Sequence, residues 1–207
     1  MKSKVLVTTS CSDEFWPLID LTLENKKDYC SRHGYDLMIR KHSTGFTCWE
    51  RIEHMIEAIR VVGSDGVVLW MGADTLFSNL TIPVELYFNN YPGPVHICRD
   101  VNGTNNDVLI LENTMPIVKE ILTSVNNQKE SFPDENIAME KELLRWPGYV
   151  SYHPQRHFNS MPYWAYHYAD DGGGTWQKGD YIFHAAGLGS LEAKMAEMKK
   201  ILPEVVK

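Results

Sequence analysis

The sequence lacks the features that mark membrane, secreted and nucleic-acid-binding proteins. Its apolar runs, such as Gly66–Met71, stay far below the roughly 20 residues that cross a bilayer, and we expect neither a membrane span nor a signal peptide. The 20 Lys and Arg against 27 Asp and Glu give a net charge of −7, which argues against a nucleic-acid partner. No Gly-x-Gly-x-x-Gly follows the first predicted strand, which disfavours a dinucleotide-dependent oxidoreductase.

Cysteine is scarce, with four residues in a chain of 207 and no Cys-x-x-Cys spacing among them. This pattern argues against a zinc site or a disulfide framework. A chain of this length buries about 70% of its unfolded surface, so it folds without such staples. We therefore expect reduced thiols and a cytoplasmic protein.

The first half of the chain alternates strands and helices. Short β-branched or apolar runs predict strands at Val5–Thr9, Tyr35–Arg40 and Val67–Trp70. A helix is predicted to begin near Ser12 or Asp13, either of which can cap it, and a second helix begins at Trp49. This order predicts a nucleotide-binding α/β layer, with the wholly apolar Val67–Trp70 in the middle of a parallel sheet.

The second half is less regular. Short strands are predicted at His96–Cys98, Val108–Leu111, Val150–Tyr152 and Tyr181–Phe183. Helices are predicted at Pro116–Ser124 and Asp134–Leu144, and a last amphipathic helix at about residues 190–202. The absence of a linker-like or repeated segment predicts one continuous α/β domain over residues 1–207.

Gly66–Asn79, in which Asp74 follows an apolar strand, resembles the strand and Asp-x-Asp motif of GT-A glycosyltransferases. The pattern is most similar to the retaining galactosyl-, mannosyl- and xylosyltransferases of the family numbered thirty-four. Further segments resemble that family's motifs in the same order: Tyr29–Leu37, Trp49–Arg51, Asn105–Asn113, Phe158–Pro162 and Lys178–Gly187. The chain departs from the pattern by Arg51 for Lys, Gly72 for Asp, Asp107 for Gly and Glu112 for Arg. Its compact size resembles a viral version, such as the leading domain of a chlorella-virus glycosyltransferase.

The resemblance implies a single-domain GT-A fold, α/β in class, with a mixed central sheet and a Rossmann-like N-terminal half. Residues up to about 80 would bind the nucleotide, and residues from about 81 to 190 would face the acceptor. The implied reaction transfers a hexose or deoxyhexose from a UDP-sugar to a glycan or glycoprotein acceptor, with retention, in a domain that fits within a longer multidomain chain. Two alternatives stay open. One is an inverting transferase with Asp107, Asp134 or Glu135 as base, and the other, motivated by Gly72, is a nucleotide-sugar-binding module without turnover.

A divalent metal, Mn²⁺ or Mg²⁺, is the implied cofactor, because negative charge develops on the leaving diphosphate. The resemblance assigns its ligands to Asp74 and His184. Gly72 removes the family's first carboxylate, so weaker metal binding and a metal-independent enzyme both stay open. From the residues alone, Asp74 is equally an Asp that caps a turn, and His184 is also compatible with a hydrogen-bonded core histidine.

The resemblance also implies a set of donor-binding residues. The loop of Thr8, Thr9 and Ser10 would hold the nucleobase and ribose. Arg51 and Lys178 would contact the diphosphate or donor sugar, although a surface ion pair and a solvated lysine are the alternatives. The remaining residues of the implied nucleotide-sugar site are Gly72, Ala73, Asp74, Asn105 and Gly187.

Asp134 and Glu135 resemble the Asp-Gln pair that opens a helix beside the reacting carbon in retaining GT-A enzymes, with Glu in place of Gln. A carboxylate at Glu135 would stabilise an oxocarbenium-like centre or attack it as a nucleophile. Alternatively, Asp134 caps the helix and Glu135 favours its first turn. The aromatic run Tyr163–Tyr168 suggests either a stacking platform for an acceptor sugar or a packed loop, and Asp100 and Asp107 flank a polar loop that would meet the acceptor.

Overall fold

The computed structural model describes residues 4–42, 48–100, 102–162 and 173–207. The strands of its large sheet are β1 (Val5–Ser12), β2 (Asp36–His42), β3 (Val67–Met71), β5 (Val95–Asp100), β6 (Gly103–Glu112) and β7 (Val150–His153), and a separate two-stranded sheet consists of β4 (Thr75–Phe77) and β8 (Ile182–His184). The order in the large sheet is β2-β1-β3-β6-β5-β7, so strands from both halves of the chain share one sheet.

The helices are α1 (Trp16–His33), α2 (Trp49–Val62), α3 (Glu85–Phe88), α4 (Pro116–Asn126), α5 (Glu135–Leu143), α6 (Gln155–Phe158) and α7 (Leu191–Ile201). Single 3-10 turns occur at Pro147–Tyr149 and Leu202–Glu204. The predicted cap of the first helix is wrong. The N-cap of α1 is Phe15 and no side chain caps it, because Ser12 is still extended in β1, paired with His42.

The first half of the chain forms the predicted β-α-β-α-β unit, in which β1 pairs in parallel with both β2 and β3. The prediction of a wholly parallel environment for β3 is wrong on one side. Its other neighbour, β6, runs antiparallel and is antiparallel to β5 on its far side as well. The sheet is therefore mixed, as the fold class predicts, and β3 lies in its middle.

Helices cover both faces of β3, which explains why the strand has no polar residue. Val68 and Trp70 point into a core shared with α2, α4 and α5. Val67 and Leu69 point to the opposite face, into a core that includes Tyr29 of α1. Alternate residues of a strand face opposite sides, so a strand covered on both sides is apolar throughout.

The two-stranded sheet packs against α1 and α7 through a third core, which contains Leu18, Leu76, Phe183 and Met198. Its strands are antiparallel, and Thr75 is paired with His184. None of the described helices is both long and apolar enough to cross a membrane. All four cysteines lie within the described residues, and none of them forms a disulfide.

Candidate active site

Three segments that are distant in sequence meet at the same place. The turn Gly72–Asp74 follows β3 directly, and His184 is the last residue of β8. The antiparallel pairing of β4 with β8 brings His184 beside this turn, where the amide of Ala185 donates to the carbonyl of Asp74 at 2.9 Å. The pairing of β3 with β6 brings Asp107 across from Gly72, whose amide donates to the Asp107 carbonyl at 2.7 Å.

The structure brings the side chains of Asp74, Asp107 and His184 together. Nε2 of His184 lies 3.5 Å from Oδ1 of Asp74 and 3.5 Å from Oδ2 of Asp107. One donor atom from each residue lies within 4.8 Å of the other two. The metal hypothesis from the sequence requires Asp74 and His184 to be this close, whereas it assigned Asp107 to the acceptor or to a base.

The ring of His184 is oriented by Asn159. Its Nδ1 donates to Oδ1 of Asn159 at 2.8 Å, which leaves Nε2 facing the two carboxylates. This is the arrangement expected of a metal-ligating histidine, whose second nitrogen is held by a neighbouring acceptor. Burial alone would lower the pKa of His184, but the charges of Asp74 and Asp107 outweigh it and raise the pKa. The sequence resemblance included Asn159 in a motif but gave it no role.

Lys194 contacts this cluster, and the sequence interpretation did not single it out. Its ammonium contacts Oδ2 of Asp74 and donates to the carbonyl of Ala185 at 3.1 Å. Burial raises the pKa of Asp74, but the charges of His184 and Lys194 more than offset it and hold the pKa far below its ordinary value. Lys194 lies near the N-terminus of α7, where the helix dipole disfavours a cation. A lysine in that position is the signal that could have identified it.

Arg51 of α2 connects Asp107 to α5. Its Nη1 lies 2.8 Å from Oδ1 of Asp107 and 3.1 Å from Oε1 of Glu135. The side chain of Glu135 is only 1% exposed, so its charge is balanced mainly by Arg51. The structure thus uses Arg51 to hold one oxygen of Asp107, while the other oxygen faces His184.

Two cavities open on either side of this cluster, and Asp74, Asp107 and Lys194 line both of them. The narrow cavity, of about 320 Å³, extends toward the end of β1. The residues that line only this cavity include Ser10, Cys11, Phe15, Leu18 and Trp70. The wide cavity, of about 450 Å³, extends toward α5. The residues that line only this cavity include Asp100, Asn102, Asn105, Asp134 and Asn136. Both volumes are in the range of small-molecule sites.

Most residues of the implied site reach one of these cavities. Those at the narrow cavity are Ser10, Arg51, Gly72, Ala73 and Asp74. Those at the wide cavity are Asp74, Asn105, Asp134, His184 and Gly187, together with Asp100 and Asp107. Oδ1 of Asp134 also accepts from the amide of Ile137 at 2.9 Å, so Asp134 caps α5 as the second interpretation expected.

Four implied residues do not line either cavity. Thr8 turns inward, where its hydroxyl donates to the Met38 carbonyl and lies 2.7 Å from Nε2 of His54. Thr9 is buried within β1, and Glu135 lies behind Arg51. Lys178 donates to Glu204 at 2.9 Å on the surface. The aromatic run Tyr163–Tyr168 lies outside the described residues.

Comparison with known proteins gives one family match. The model of the galactosyl transferase GMA12/MNN10 family matches residues 3–90. This range contains β1 to β4 and the Gly72–Asp74 turn, but it ends before Asp107 and His184. None of the curated proteins compared matches the sequence.

Solved structures extend the likeness over nearly the whole chain. A glycosyltransferase involved in the glycosylation of the major capsid of PBCV-1 superposes with a TM-score of 0.76 at 17% identity, covering 95% of this chain and 99% of that one. The galactosyltransferase LgtC, in complex with donor and acceptor sugar analogues, gives a TM-score of 0.55 at 12% identity, covering 98% and 96%. The fold is that of the GT-A glycosyltransferases, which confirms the resemblance seen in the sequence, and the family match supports a glycosyltransferase.

Proposed function

We propose that this chain, as one GT-A domain, transfers a hexose or deoxyhexose from a UDP-sugar to a glycan or glycoprotein acceptor with the help of a divalent metal. The observation that carries the proposal is the cluster of Asp74, Asp107 and His184 at the junction of two cavities. A transferase needs a donor and an acceptor to meet at one reacting carbon. A cluster reached from both sides satisfies this requirement.

The ligand atoms of this cluster fit Mn²⁺ or Mg²⁺. Asp74 and Asp107 offer carboxylate oxygens, which both ions accept, and His184 offers an imidazole nitrogen, which Mn²⁺ also takes. These three residues would hold the ion. When bound, it would act as a Lewis acid toward the leaving diphosphate.

The narrow cavity suits the nucleotide. It opens at the carboxyl end of β1, where ligands of α/β sheets bind, and the half-buried Phe15 and Ala73 give it apolar surface for a nucleobase. Arg51 and Lys194 supply positive charge beside the cluster. Lys194 would leave Asp74 and contact a phosphate oxygen once a cation takes over the pairing with Asp74.

The wide cavity suits a sugar acceptor. Three asparagines and two aspartates line it and not the narrow cavity, and such groups pair with the many hydroxyls of a sugar. The four carboxylates that line the wide cavity among the described residues, Asp74, Asp100, Asp107 and Asp134, would repel a second diphosphate. This distribution of charge supports the donor in the narrow cavity and a neutral acceptor in the wide one.

The stereochemical part of the proposal is retention, and its support is the family resemblance. Glu135 would act in this scheme by holding Arg51, and through it Asp107, rather than by touching the sugar. An inverting transferase is the second candidate. It is favoured by Asp134, whose carboxylate lines the wide cavity and could take the proton of the acceptor hydroxyl.

The test begins with thermal melting of the protein with UDP, other nucleoside diphosphates and their sugars, each with and without Mn²⁺. A ligand that prefers the folded state raises the melting temperature, so UDP with Mn²⁺ should raise it more than either alone. UDP release from the stabilising UDP-sugar then measures turnover, and the anomeric NMR signal of the product distinguishes retention from inversion. Stabilisation without any UDP release, to acceptor or to water, would instead indicate a binding module.

A further inference from the structure

Gly72 occupies the position at which the family pattern has its first carboxylate, and its backbone gives no reason for a glycine. Gly72 is not among the described glycines with positive φ, so any residue can adopt its conformation. The restriction is spatial. A Cβ at Gly72 would lie 2.9 Å from Oδ1 of Asp107 and 3.1 Å from Oδ1 of Asp74. A side chain here would therefore enter the space that the two carboxylates already fill.

The second of these carboxylates comes from a different strand. Met71 pairs with Val108, so position 107 of β6 lies directly across from Gly72. Oδ1 of Asn105 accepts from the Asp107 amide at 3.0 Å, and Nη1 of Arg51 holds Oδ1 of Asp107 at 2.8 Å. With that oxygen held, Oδ2 faces His184.

We infer that Asp107 is a relocated metal ligand, which supplies from β6 the carboxylate that Gly72 cannot supply from the β3–β4 turn. The inference rests on the proposed function, because it concerns the same cation. It explains two departures from the family pattern with one cause. The glycine at position 72 makes room for the aspartate that stands at position 107 in place of the family's glycine.

The experiment measures Mn²⁺ affinity from the EPR signal of the free ion, in the presence of UDP, and does not depend on turnover. Four proteins are compared: wild type, Asp107→Ala, the double variant Gly72→Asp with Asp107→Ala, and Asp36→Ala. Asp36 is an exposed carboxylate on β2 that lines neither cavity, so it is the matched control. We expect Asp107→Ala to weaken Mn²⁺ binding by about tenfold or more. The double variant should recover most of this loss, and Asp36→Ala should match wild type.

Two results would overturn the inference. One is unchanged Mn²⁺ affinity in Asp107→Ala, and the other is a double variant that binds no better than Asp107→Ala. The melting temperature of each variant reports whether it is folded. If Asp107→Ala is unfolded, Asp107→Asn, which keeps the shape of the side chain and still accepts from Arg51, takes its place, and unchanged affinity there is equally decisive.

Failure of the proposed function gives a different result. Wild-type protein that binds no Mn²⁺ with UDP would remove both the metal-dependent function and the inference. Wild-type binding that is lost in Asp74→Asn but unchanged in Asp107→Asn would leave the function standing and overturn only the role of Asp107.

Discussion

The narrow cavity is walled by apolar and hydroxyl side chains, such as Leu18, Trp70 and Ser10, whereas three asparagines and two aspartates line the wide cavity alone. They share Asp74, Asp107 and Lys194, which carry the charges at their junction. Under the proposed function, this difference corresponds to two ligands of unlike chemistry, and the shared residues lie where those ligands would react. Variants of shared residues should therefore affect turnover as a whole, while variants of unshared residues should affect one substrate at a time.

The largest effect is expected at a shared residue. Asp74→Asn keeps the shape of the side chain but removes the negative charge that faces His184 and Lys194. We expect kcat/KM for UDP release to fall about 10³-fold, the scale for removing an electrostatic contribution to the transition state. Asp36→Asn, measured in the same assay, is the control for loss of a surface carboxylate. A loss below about tenfold in Asp74→Asn would contradict a common reaction centre.

The next effect concerns the support of the narrow cavity. His54 is buried behind its wall, 2.7 Å from the hydroxyl of Thr8 and at the edge of the Trp70 ring. Burial, with a smaller contribution from Arg40, lowers the pKa of His54 from 6.5 to about 4. Between these pH values the unfolded chain binds the proton and the folded chain does not. Stability therefore falls as the pH falls through this window, by about 3 kcal/mol.

His54→Gln tests this prediction because glutamine can still hydrogen-bond to Thr8 but does not titrate. Urea unfolding of both proteins at about pH 7 and about pH 4 gives the acid-induced loss of each. The loss in the variant should be smaller by about 3 kcal/mol. If both proteins lost the same free energy of unfolding between these pH values, His54 would not be the source of the acid sensitivity. The narrow cavity would then not be supported by a titrating group behind its wall.

The sequence predicted the parts of this comparison that depend on local pattern. The apolar run Val67–Trp70 and the helical spacing of apolar residues in α2 are visible in a short window of sequence. Both were predicted correctly, as strand β3 and helix α2, which lie beside the narrow cavity. Pairing between distant strands is not visible in such a window. The start of α1 was missed because β2 holds Ser12 in a strand, and the position of Asp107 depends on the β3–β6 register.

The site was predictable to the same extent. The resemblance singled out Asp74 and His184, and the structure places their side chains 3.5 Å apart. Lys194 contacts Asp74 from the N-terminal part of α7, where a cation is disfavoured, and Asn159 contacts His184 from the segment after α6, where the local sequence fits an ordinary loop. Thr8 and Thr9 were expected at the nucleotide with Ser10, but of these three only Ser10 reaches the cavity. Thr9 faces the opposite side of β1, whereas Thr8 shares the face of Ser10 but contacts Met38 and His54 through its hydroxyl.

Ser10 offers a test of whether the narrow cavity binds the UDP-sugar. Its hydroxyl oxygen is buried and has no hydrogen-bond partner among the described residues, so it is available to a ligand. Ser10→Ala should raise KM for the UDP-sugar about fivefold, which corresponds to one hydrogen bond of about 1 kcal/mol. KM for the acceptor should stay unchanged. Ser31→Ala, at an exposed position on α1, is the matched control. A change in acceptor KM instead would reverse the assignment of the cavities.

The smallest effect is expected on the wide side, at Ile137, which lines that cavity and is 40% exposed without a ligand. Covering its side chain with the apolar face of a sugar removes only part of its surface from water. Ile137→Ala should therefore raise KM for the acceptor by about threefold and leave KM for the UDP-sugar unchanged. Leu144→Ala, which follows the same helix at an exposed position outside both cavities, should change neither constant. Because Ser10 and Ile137 lie on opposite sides of the cluster, equal effects of their variants on both substrates would mean that the two cavities bind one ligand together.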